Sequence, residues 1–572
     1  MAGCDVIVIG GGHAGIEAAA AAARLGADTA LVTFSKGNIG EMSCNPSIGG
    51  LGKGHLVREI DALDGVMARA ADIAGTQFRV LNASKGAAVQ GPRAQCDRKL
   101  YKRAVRDALA SYPDLEIIEG EVVEFAPAAR GFSVKILDIE SEILNLSARS
   151  LVISAGTFLN GVMHVGEELA NGGRIGEPAS SGITKSLETA GFSMIRLKTG
   201  TPARLDGATI NYDGLEVQES DAEPEAFSYL TAAVTQKTLA THITYTNART
   251  HGIILANKDR APLYNGQIKS AGPRYCPSIE DKVVRFSHHP SHHVFLEPEG
   301  CGTDVVYPNG ISTSLPRDVQ DAFIRSIRGL ENVRILRYGY AIEYDAIDAR
   351  ELSASLESRR IPGLFFAGQV NGTSGYEEAA AQGLIAGMNA ALSARGKPPF
   401  ILDRSEAYIG VLIDDITTLG VDEPYRMFTS RSEYRLSLRA DNADQRLTPA
   451  GIRIGVVSRQ RADAFREKMG LLEKARRKNA CLAEFPPSIR RQIGIEEKYE
   501  GYLKKQARDI AAYRKDLELR LPAGLDYSAI GGLTIEARDK LGRARPATLA
   551  SAARIPGITP AALIALLKHV KK

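Results

Sequence analysis

The 572-residue chain lacks several features that would place it outside the reducing interior of a cell. Its 6 cysteines include no C-x-x-C pair, so neither a disulfide framework nor a structural zinc site is expected. No apolar run reaches the roughly 20 residues that a membrane-spanning helix needs. The N-terminus enters an apolar strand without a basic, apolar leader. These absences predict a cytoplasmic protein that is not inserted in a membrane, and the length predicts two or three domains.

Charge is distributed unevenly along the chain. Residues 474–572 carry 21 Lys and Arg against 10 Asp and Glu, whereas the first 473 residues carry 50 against 57. Such a basic C-terminal part is typical of a module that binds nucleic acid or an acidic partner. An ordinary solvated helical surface has the same composition. Charge alone therefore leaves both interpretations open.

The N-terminal segment has the pattern of a dinucleotide-binding turn. A short apolar strand leads into G-x-G-x-x-G and then into an alanine-rich helix. Glycines let the backbone approach a pyrophosphate, whose charge is favoured at a helix N-terminus. The second strand ends at residues 33–35 without the acidic residue that usually meets the ribose in NAD proteins. The residues of the predicted turn are Gly10, Gly11, Gly12, His13, Ala14 and Gly15.

Two later segments predict that the nucleotide is FAD. Residues 150–157 and 361–378 are apolar strands that each end in Ala-Gly. They resemble the later flavin motifs of the glutathione-reductase type of fold, although Gln369 replaces the usual Asp. The predicted fold is therefore α/β, with a Rossmann-like FAD domain, an insertion domain and a C-terminal all-helical domain.

The order of patterns predicts the domain limits. Residues 1–203 and 272–398 form a discontinuous FAD-binding domain, and the polar residues 204–271 form an insertion domain. After residue 398 helical patterns replace strands, for example over residues 460–478 and 496–519. A helical linker over 399–485 and a C-terminal helical domain over 486–572 complete the prediction.

Two cysteines lie in polar, glycine- and proline-bounded loops. Cys44 closely follows the dinucleotide turn, and Cys276 has Arg274, Lys282 and Arg285 nearby in sequence. A positive charge close to a thiol favours the thiolate. A cysteine is more often a small buried hydrophobe, but the setting of these two favours chemistry. Four others are interpreted as structural: Cys4, Cys96, Cys301 and Cys481.

A histidine-rich stretch at residues 288–293 has four histidines but no Cys or acidic residue within it. Zinc sites usually combine such ligands at fixed spacing. No metal site is therefore predicted.

Seven motifs together resemble the MnmG (GidA) family, the flavin subunit of a bacterial enzyme that modifies the wobble uridine of tRNA. The resemblance covers the whole chain, although residues 470–495 are shorter than usual for that family. The motifs lie at residues 10–15, 42–46, 272–282, 307–315, 341–345, 376–382 and 424–431.

The resemblance implies an FAD- and NADH-dependent enzyme that works as a homodimer in a heterotetramer with the GTPase MnmE. It implies transfer of a one-carbon unit from methylenetetrahydrofolate to C5 of uracil, as an aminomethyl or carboxymethylaminomethyl group. Cys44 and Cys276 would act as a pair, one adding to C6 and one moving the C5 proton. Residues 399–485 would contact tRNA, and residues 486–572 would bind the GTPase.

Cofactor contacts follow from the same resemblance. FAD is expected at the glycine turn and at Val122, Ser180 and Gln369. The nicotinamide site is expected at Gly272, Pro273, Arg274, Tyr275, Cys276, Pro277, Ser278, Ile279, Glu280, Asp281, Lys282, Val283, Val284, Arg285 and Phe286.

Four arginines are the expected RNA-binding set: Arg426, Arg431, Arg435 and Arg439. The last three are spaced i, i+4, i+8 and would share one side of a helix that contacts phosphates. Ion pairs with Glu433, Asp441 and Asp444 are the structural alternative.

Two other functions remain open. A folate- and FAD-dependent methyltransferase of the tRNA T-loop is the rival enzyme, although that family lacks a long basic helical tail. A flavin-containing RNA-binding scaffold is the alternative outside enzymes. A disulfide reductase is disfavoured because the chain has no C-x-x-C pair.

Overall fold

A computed structural model describes residues 2–270, 277–477, 479–522 and 524–570. The strands are β1 Ala2–Ile9, β2 Thr29–Thr33, β3 Ser47–Gly49, β4 Gly75–Leu81, β5 Gly91–Cys96, β6 Leu115–Ala128, β7 Gly131–Asp138, β8 Ile143–Ile153, β9 Val162–Val165, β10 Glu168–Asn171, β11 Met194–Thr201, β12 Arg204–Asp206, β13 Glu216–Gln218, β14 Thr241–Tyr245, β15 His293–Pro298, β16 Val305–Asn309, β17 Ile335–Arg337, β18 Tyr340–Ile347 and β19 Leu364–Phe366. The helices are α1 His13–Arg24, α2 Lys53–Ala62, α3 Met67–Ala74, α4 Arg98–Ala110, α5 Gly182–Thr189, α6 Ala248–Ala256, α7 Ile279–Arg285, α8 Arg317–Ile324, α9 Tyr376–Ala394, α10 Tyr408–Leu419, α11 Ala443–Ile454, α12 Arg459–Ala475, α13 Pro487–Glu518, α14 Ile535–Ala544, α15 Leu549–Ala553 and α16 Pro560–Val570.

The first sheet carries the dinucleotide turn. Its parallel part runs β6-β2-β1-β8-β19, and β7 joins the outer halves of β6 and β8 as an antiparallel meander. Val6, Ile7 and Val8 of β1 are completely buried, as expected for a parallel strand covered on both faces. The carboxyl ends of these strands therefore meet at one edge, where ligands bind in such folds.

Helices α1 and α9 pack in backbone contact over this sheet. A Cβ at Gly383 or Gly387 would lie 2.0 or 2.1 Å from the carbonyl oxygens of Ala14 and Ala18, so only glycine allows this approach. The close packing brings the start of α9, at Tyr376, beside the turn that precedes α1.

Three antiparallel sheets flank the first one. Their strand orders are β10-β9-β18-β11, β13-β14-β15-β16-β12-β17 and β3-β5-β4. In the six-stranded sheet β14 pairs with β15, so this sheet crosses the predicted boundary between residues 271 and 272. Its core likewise combines Leu205 and Ile254 with Leu296 and Phe323. The assignment of domain limits stays a prediction.

After β19 the described part of the chain consists of helices joined by turns and irregular segments, with no further strand. The helices predicted over residues 460–478 and 496–519 correspond to α12 and to the second part of α13. Helices α14–α16 enclose a small separate core that includes Leu541 and Leu566. None of the described helices is both long and apolar enough to span a membrane. The predicted fold class, α/β with a C-terminal helical region, is confirmed.

Candidate active site

A cavity of about 480 Å³ opens at the carboxyl ends of the parallel strands. Ile9 at the end of β1, Thr33 at the end of β2 and Ser154 just after β8 contribute to its wall. Gly15 lies outside the cavity wall. The residues predicted to contact FAD that do line this cavity are Gly10, Gly11, Gly12, His13, Ala14, Val122, Ser180 and Gln369.

The dinucleotide turn has the geometry that an anion requires. Gly12 caps the N-terminus of α1, no side chain caps the helix, and the first turn has no acidic residue. A Cβ at Gly12 would meet nothing within 4 Å, whereas a Cβ at Gly15 would lie 1.7 Å from the Gly10 carbonyl oxygen. Glycine is therefore obligatory at position 15, and the amides of the first turn can bind a phosphate.

His13 provides a second indication of a bound group. Its Nε2 atom is buried and has no hydrogen-bond partner among the described residues. Its ring stacks on Tyr376, with 4.5 Å between the centroids. Burial lowers the pKa of His13 to about 4, so the ring is neutral at pH 7. Buried polar atoms usually have a partner, and the residues present therefore fit a polar dinucleotide in this cavity.

Cys44 lies in the wall of the same cavity, as the sequence predicts from its position after the turn. Its Sγ atom is 3.1 Å from the hydroxyl of Tyr307, on β16. Its backbone N–H donates to the Tyr376 hydroxyl at 2.6 Å, and its carbonyl accepts from Arg204 at 3.2 Å. The half-buried thiol is thus fixed by two tyrosines and an arginine from three distant segments.

A buried ion cluster supports the loop after Cys44. Lys53 at the start of α2 lies 2.8 Å from Glu377 and 3.2 Å from Glu378. Glu377 also accepts the N–H of Gly49 at 2.6 Å. Burial opposes ionisation of Glu377, but the ammonium of Lys53 still holds the pKa of this carboxyl below its usual range. The Lys53–Glu377 pair and the hydrogen bond from Gly49 therefore keep the start of α9 against the Cys44 loop.

Sequence reasoning did not assign a role to Lys53, Glu377, Tyr307 or Arg204. Glu377 and Tyr307 belong to two of the seven motifs, and this membership was the only feature of the sequence that pointed to them. Their partners are hundreds of residues away along the chain, and spacing cannot reveal such contacts.

The remaining described cysteines have different surroundings. Burial raises the pKa of Cys4 to about 12 and also raises the pKa of the Cys96 thiol. Cys301 and Cys481 are exposed, and all five described cysteines, Cys44 included, are free thiols. Cys276, the second predicted catalytic thiol, lies outside the described residues. The predicted pairing of Cys44 with Cys276 stays a prediction.

The predicted nicotinamide stretch is likewise described only in part. Gly272, Pro273, Arg274 and Tyr275 lie outside the described residues. Of the remainder, Ile279 and Val283 of α7 pack into the core of the six-stranded sheet, and Lys282 donates to the Gly310 carbonyl at 2.7 Å. Residues 277–286 do not line the cavity. Nicotinamide binding by this stretch stays a prediction.

The helix predicted for three of the arginines is wrong. Between a short 3₁₀ turn at Thr429–Arg431 and another at Ala440–Asn442, residues 432–439 form turns and extended backbone. Arg439 is buried against the Tyr499 ring, 5.4 Å from its centroid, and pairs with Asp441 at 2.9 Å. These buried contacts hold Arg439 in an extended backbone conformation, which is incompatible with a helix through this residue. The ion pair with Asp441 agrees with the structural alternative given above for Arg439.

The other three arginines lie in different places. Arg426 lines the cavity together with Phe428. Arg431 stacks on Tyr425 at 4.0 Å, and Arg435 is exposed. RNA binding by these residues stays a prediction.

The histidine-rich stretch carries largely exposed side chains. In the part of the chain that the structure describes, no group of three or more His, Cys, Asp or Glu residues could hold a metal ion.

Comparison with known proteins gives one consistent result. Residues 5–398 match the family described as glucose inhibited division protein A, and residues 509–572 match the C-terminal helical bundle of the tRNA modifying enzyme MnmG/GidA. A protein of Syntrophotalea carbinolica named tRNA uridine 5-carboxymethylaminomethyl modification enzyme MnmG is 49% identical, covering 98% of each chain. A protein of Granulibacter bethesdensis with the same name is 49% identical, covering 99% of this chain and 97% of its own.

A solved structure agrees with these relatives. GidA of Aquifex aeolicus in its form I crystal is 45% identical, with a TM-score of 0.91 over 99% of this chain and 100% of that one.

Proposed function

The chain belongs to the MnmG/GidA family of flavoenzymes that modify tRNA uridine, and on that premise we propose its reaction and partners. It adds an aminomethyl or carboxymethylaminomethyl group to C5 of the wobble uridine, with methylenetetrahydrofolate as the one-carbon donor. The observation that carries the proposal is the position of Cys44, a thiol in the wall of the dinucleotide cavity.

A thiol at this place suits uracil chemistry. C5 of uracil is a poor nucleophile until a thiolate adds to C6 and the ring becomes an enolate. After the C5 substituent is in place, a base must remove the C5 proton so that the thiolate can leave. Cys44 performs one of these two tasks, and the residue predicted for the other is Cys276.

The backbone of residues 10–14 would hold FAD, with Val122, Ser180 and Gln369 on the wall of the cavity. Bound FAD, reduced by NADH, supplies the redox chemistry that accompanies transfer of the one-carbon unit. The neutral His13 ring contributes an uncharged buried nitrogen to the site. Tyr376 and Glu377 hold the Cys44 loop in the wall of the cavity.

Partners follow from the same premise. Arg426 at the cavity, together with Arg431 and Arg435 in the part of the chain after β19, binds tRNA phosphates. The C-terminal helices bind the GTPase MnmE, and two chains form a homodimer. Because the substrate is tRNA, the cytoplasm is the proposed place of action.

Nucleoside mass spectrometry of tRNA tests the proposal. The protein is incubated with the GTPase, GTP, FAD, NADH, methylenetetrahydrofolate, glycine and undermodified tRNA. We expect carboxymethylaminomethyl uridine from the wild type and from Cys301→Ser, an exposed cysteine that serves as control. Cys44→Ser and Cys276→Ser are expected to make less than about one part in a hundred of that product.

Other products would refute the assignment. Ribothymidine formed without the GTPase would indicate a T-loop methyltransferase. Absence of any new nucleoside, together with no reduction of the flavin by NADH, would indicate an RNA-binding scaffold.

A further inference from the structure

Tyr307 is the phenol in contact with the Cys44 sulfur. The 3.1 Å separation of Oη and Sγ allows either atom to donate. With a neutral cysteine the thiol donates to the phenol, and with a thiolate the phenol O–H donates to the sulfur. One contact therefore satisfies both charge states, and proton loss from Cys44 leaves no unpaired buried group. Tyr307 itself is buried, which fixes its ring.

The other tyrosine of the site has a different task. The Tyr376 hydroxyl accepts the backbone N–H of Cys44 and donates to the Asn45 carbonyl at 3.3 Å. Burial, with a further contribution from Cys44, raises the pKa of Tyr376 well above its usual value. Tyr376 therefore holds the backbone, and Tyr307 contacts the sulfur.

Arg204 is placed to act on both members of the pair. Its guanidinium lies over the Tyr307 ring, 4.6 Å from the centroid, and donates to the Cys44 carbonyl. It is buried and held by Glu299 at 2.6 Å. A cation on the face of a phenol is attracted to the ring and favours negative charge nearby.

The charges around the pair favour an anion. Arg98 bridges Glu299 at 2.7 Å and Glu41, and Lys102 lies 2.6 Å from Glu41. On β15, the strand beside Tyr307, Glu297 is paired with Arg93 at 2.8 Å. The cluster of Arg204, Arg98 and Lys102 with Glu299 and Glu41 thus has one excess positive charge. Among the described residues, the charged and titratable groups around the pair include Tyr376, Arg204, Arg98, Glu41, Glu299, Glu297 and Arg93.

We propose that Tyr307, held by Arg204, is the positioning residue that stabilises the thiolate of Cys44. The inference rests on the proposed function, which gives the thiolate its task, but its test needs no tRNA. The thiolate of Cys44 is therefore stabilised by the phenol of Tyr307 on β16 and by the guanidinium of Arg204 on β12.

The test is alkylation of the flavin-loaded protein by iodoacetamide between pH 6 and 9.5. Mass spectrometry of the Cys44 peptide gives the rate at each pH, and the exposed Cys481 in the same sample is the internal reference. In the wild type we expect the midpoint for Cys44 to lie below that for Cys481. Tyr307→Phe keeps the ring under Arg204 but removes the hydroxyl, and should lower the Cys44 rate at pH 7 by roughly tenfold.

Two further variants complete the design. Arg204→Gln is expected to move the Cys44 midpoint in the same direction, and flavin content verifies its fold. Tyr338→Phe loses a hydroxyl that bonds Asp321 and should leave the Cys44 profile unchanged. In the tRNA assay, Tyr307→Phe should lower kcat while KM for tRNA stays the same.

An unchanged Cys44 profile in Tyr307→Phe would overturn the proposal, as would a wild-type midpoint equal to that of Cys481. Failure of the proposed function would instead leave these alkylation profiles intact and remove only the modified nucleoside.

Discussion

Ion pairs between α2 and α12 are shielded from water, whereas those in the C-terminal bundle, α14–α16, are open to it. Where α12 meets α2, Arg461 pairs with Asp61 at 2.6 Å and Asp64 at 2.9 Å, and all three side chains are at most 3% exposed. In α14, Arg543 and Asp539 are 72% and 68% exposed. Buried pairs lose their hydration and fix geometry, whereas exposed pairs contribute little. Similar ionic contacts therefore fix the packing of α12 against α2 but contribute little to the stability of the bundle.

The largest expected effect is that of Arg461→Ala. The substitution leaves Asp61 and Asp64 buried without their cation, which should destabilise the protein by about 3–5 kcal/mol. Urea unfolding followed by circular dichroism measures the loss. Arg459→Ala is the matched control, because Arg459 lies on the same helix but is 95% exposed. Equal effects of the two substitutions would contradict the distinction between buried and exposed pairs.

Acidification should reveal the same buried pair in the wild type. Burial opposes ionisation of Asp64, but Arg461 holds the pKa of this carboxyl at about 2. A lowered folded-state pKa contributes stability above the unfolded value of about 4, and this is lost as pH falls towards 2. We expect a loss of about 2 kcal/mol over that interval from this group.

The measurement for this prediction is urea unfolding at pH 5, 4, 3 and 2 for the wild type and Arg461→Met. The variant lacks the cation, so its dependence on pH should be shallower. Parallel curves for the two proteins would mean that Arg461 does not set the ionisation of Asp64.

An intermediate effect is expected where the bundle meets the rest of the chain. Arg554 of the bundle pairs with Asp414 of α10, which also lies 3.1 Å from Arg404. The side chain of Arg554 is 18% exposed, between the two extremes. Arg554→Ala should cost about 1–2 kcal/mol and loosen the bundle. Hydrogen exchange should then rise in α14–α16 while the first sheet stays protected, and a uniform rise would contradict this prediction.

The smallest effect is expected within the bundle itself. Arg543→Ala removes the exposed pair with Asp539 and should leave the melting temperature within experimental error. Calorimetry at low and at high salt provides the check. A clear loss of stability that salt suppresses would show that exposed pairs stabilise the bundle after all.

The parts of the site that depend on local sequence could be predicted. The turn before α1, the cysteine that follows it and the start of α9 at Tyr376 all depend on glycine positions and short patterns. Their placement around one cavity then follows from the parallel sheet, because carboxyl ends of strands share an edge.

Contacts between distant segments could not be predicted. The pairs Lys53–Glu377 and Cys44–Tyr307 join different sheets and helices, and no local periodicity encodes them. The i, i+4 spacing of Arg431, Arg435 and Arg439 was misleading because buried contacts of Arg439 override local helix preference. The pairing of β14 with β15, across the predicted boundary at residue 271, is likewise a contact between segments that are far apart in sequence.

The position of β19 has a consequence for the order of events during synthesis. Leu364 of β19 pairs with Leu151 of β8, although all the strands of two further sheets lie between them in the chain. At roughly 5–20 residues per second, a ribosome needs about 10–40 s to pass from one partner to the other. The edge of β8 opposite β1, which later receives β19, and the face of α1 that receives α9 are exposed during that time. A nascent chain therefore acquires its cofactor late, and chaperones that shield open sheet edges are expected to affect its yield more than its final stability.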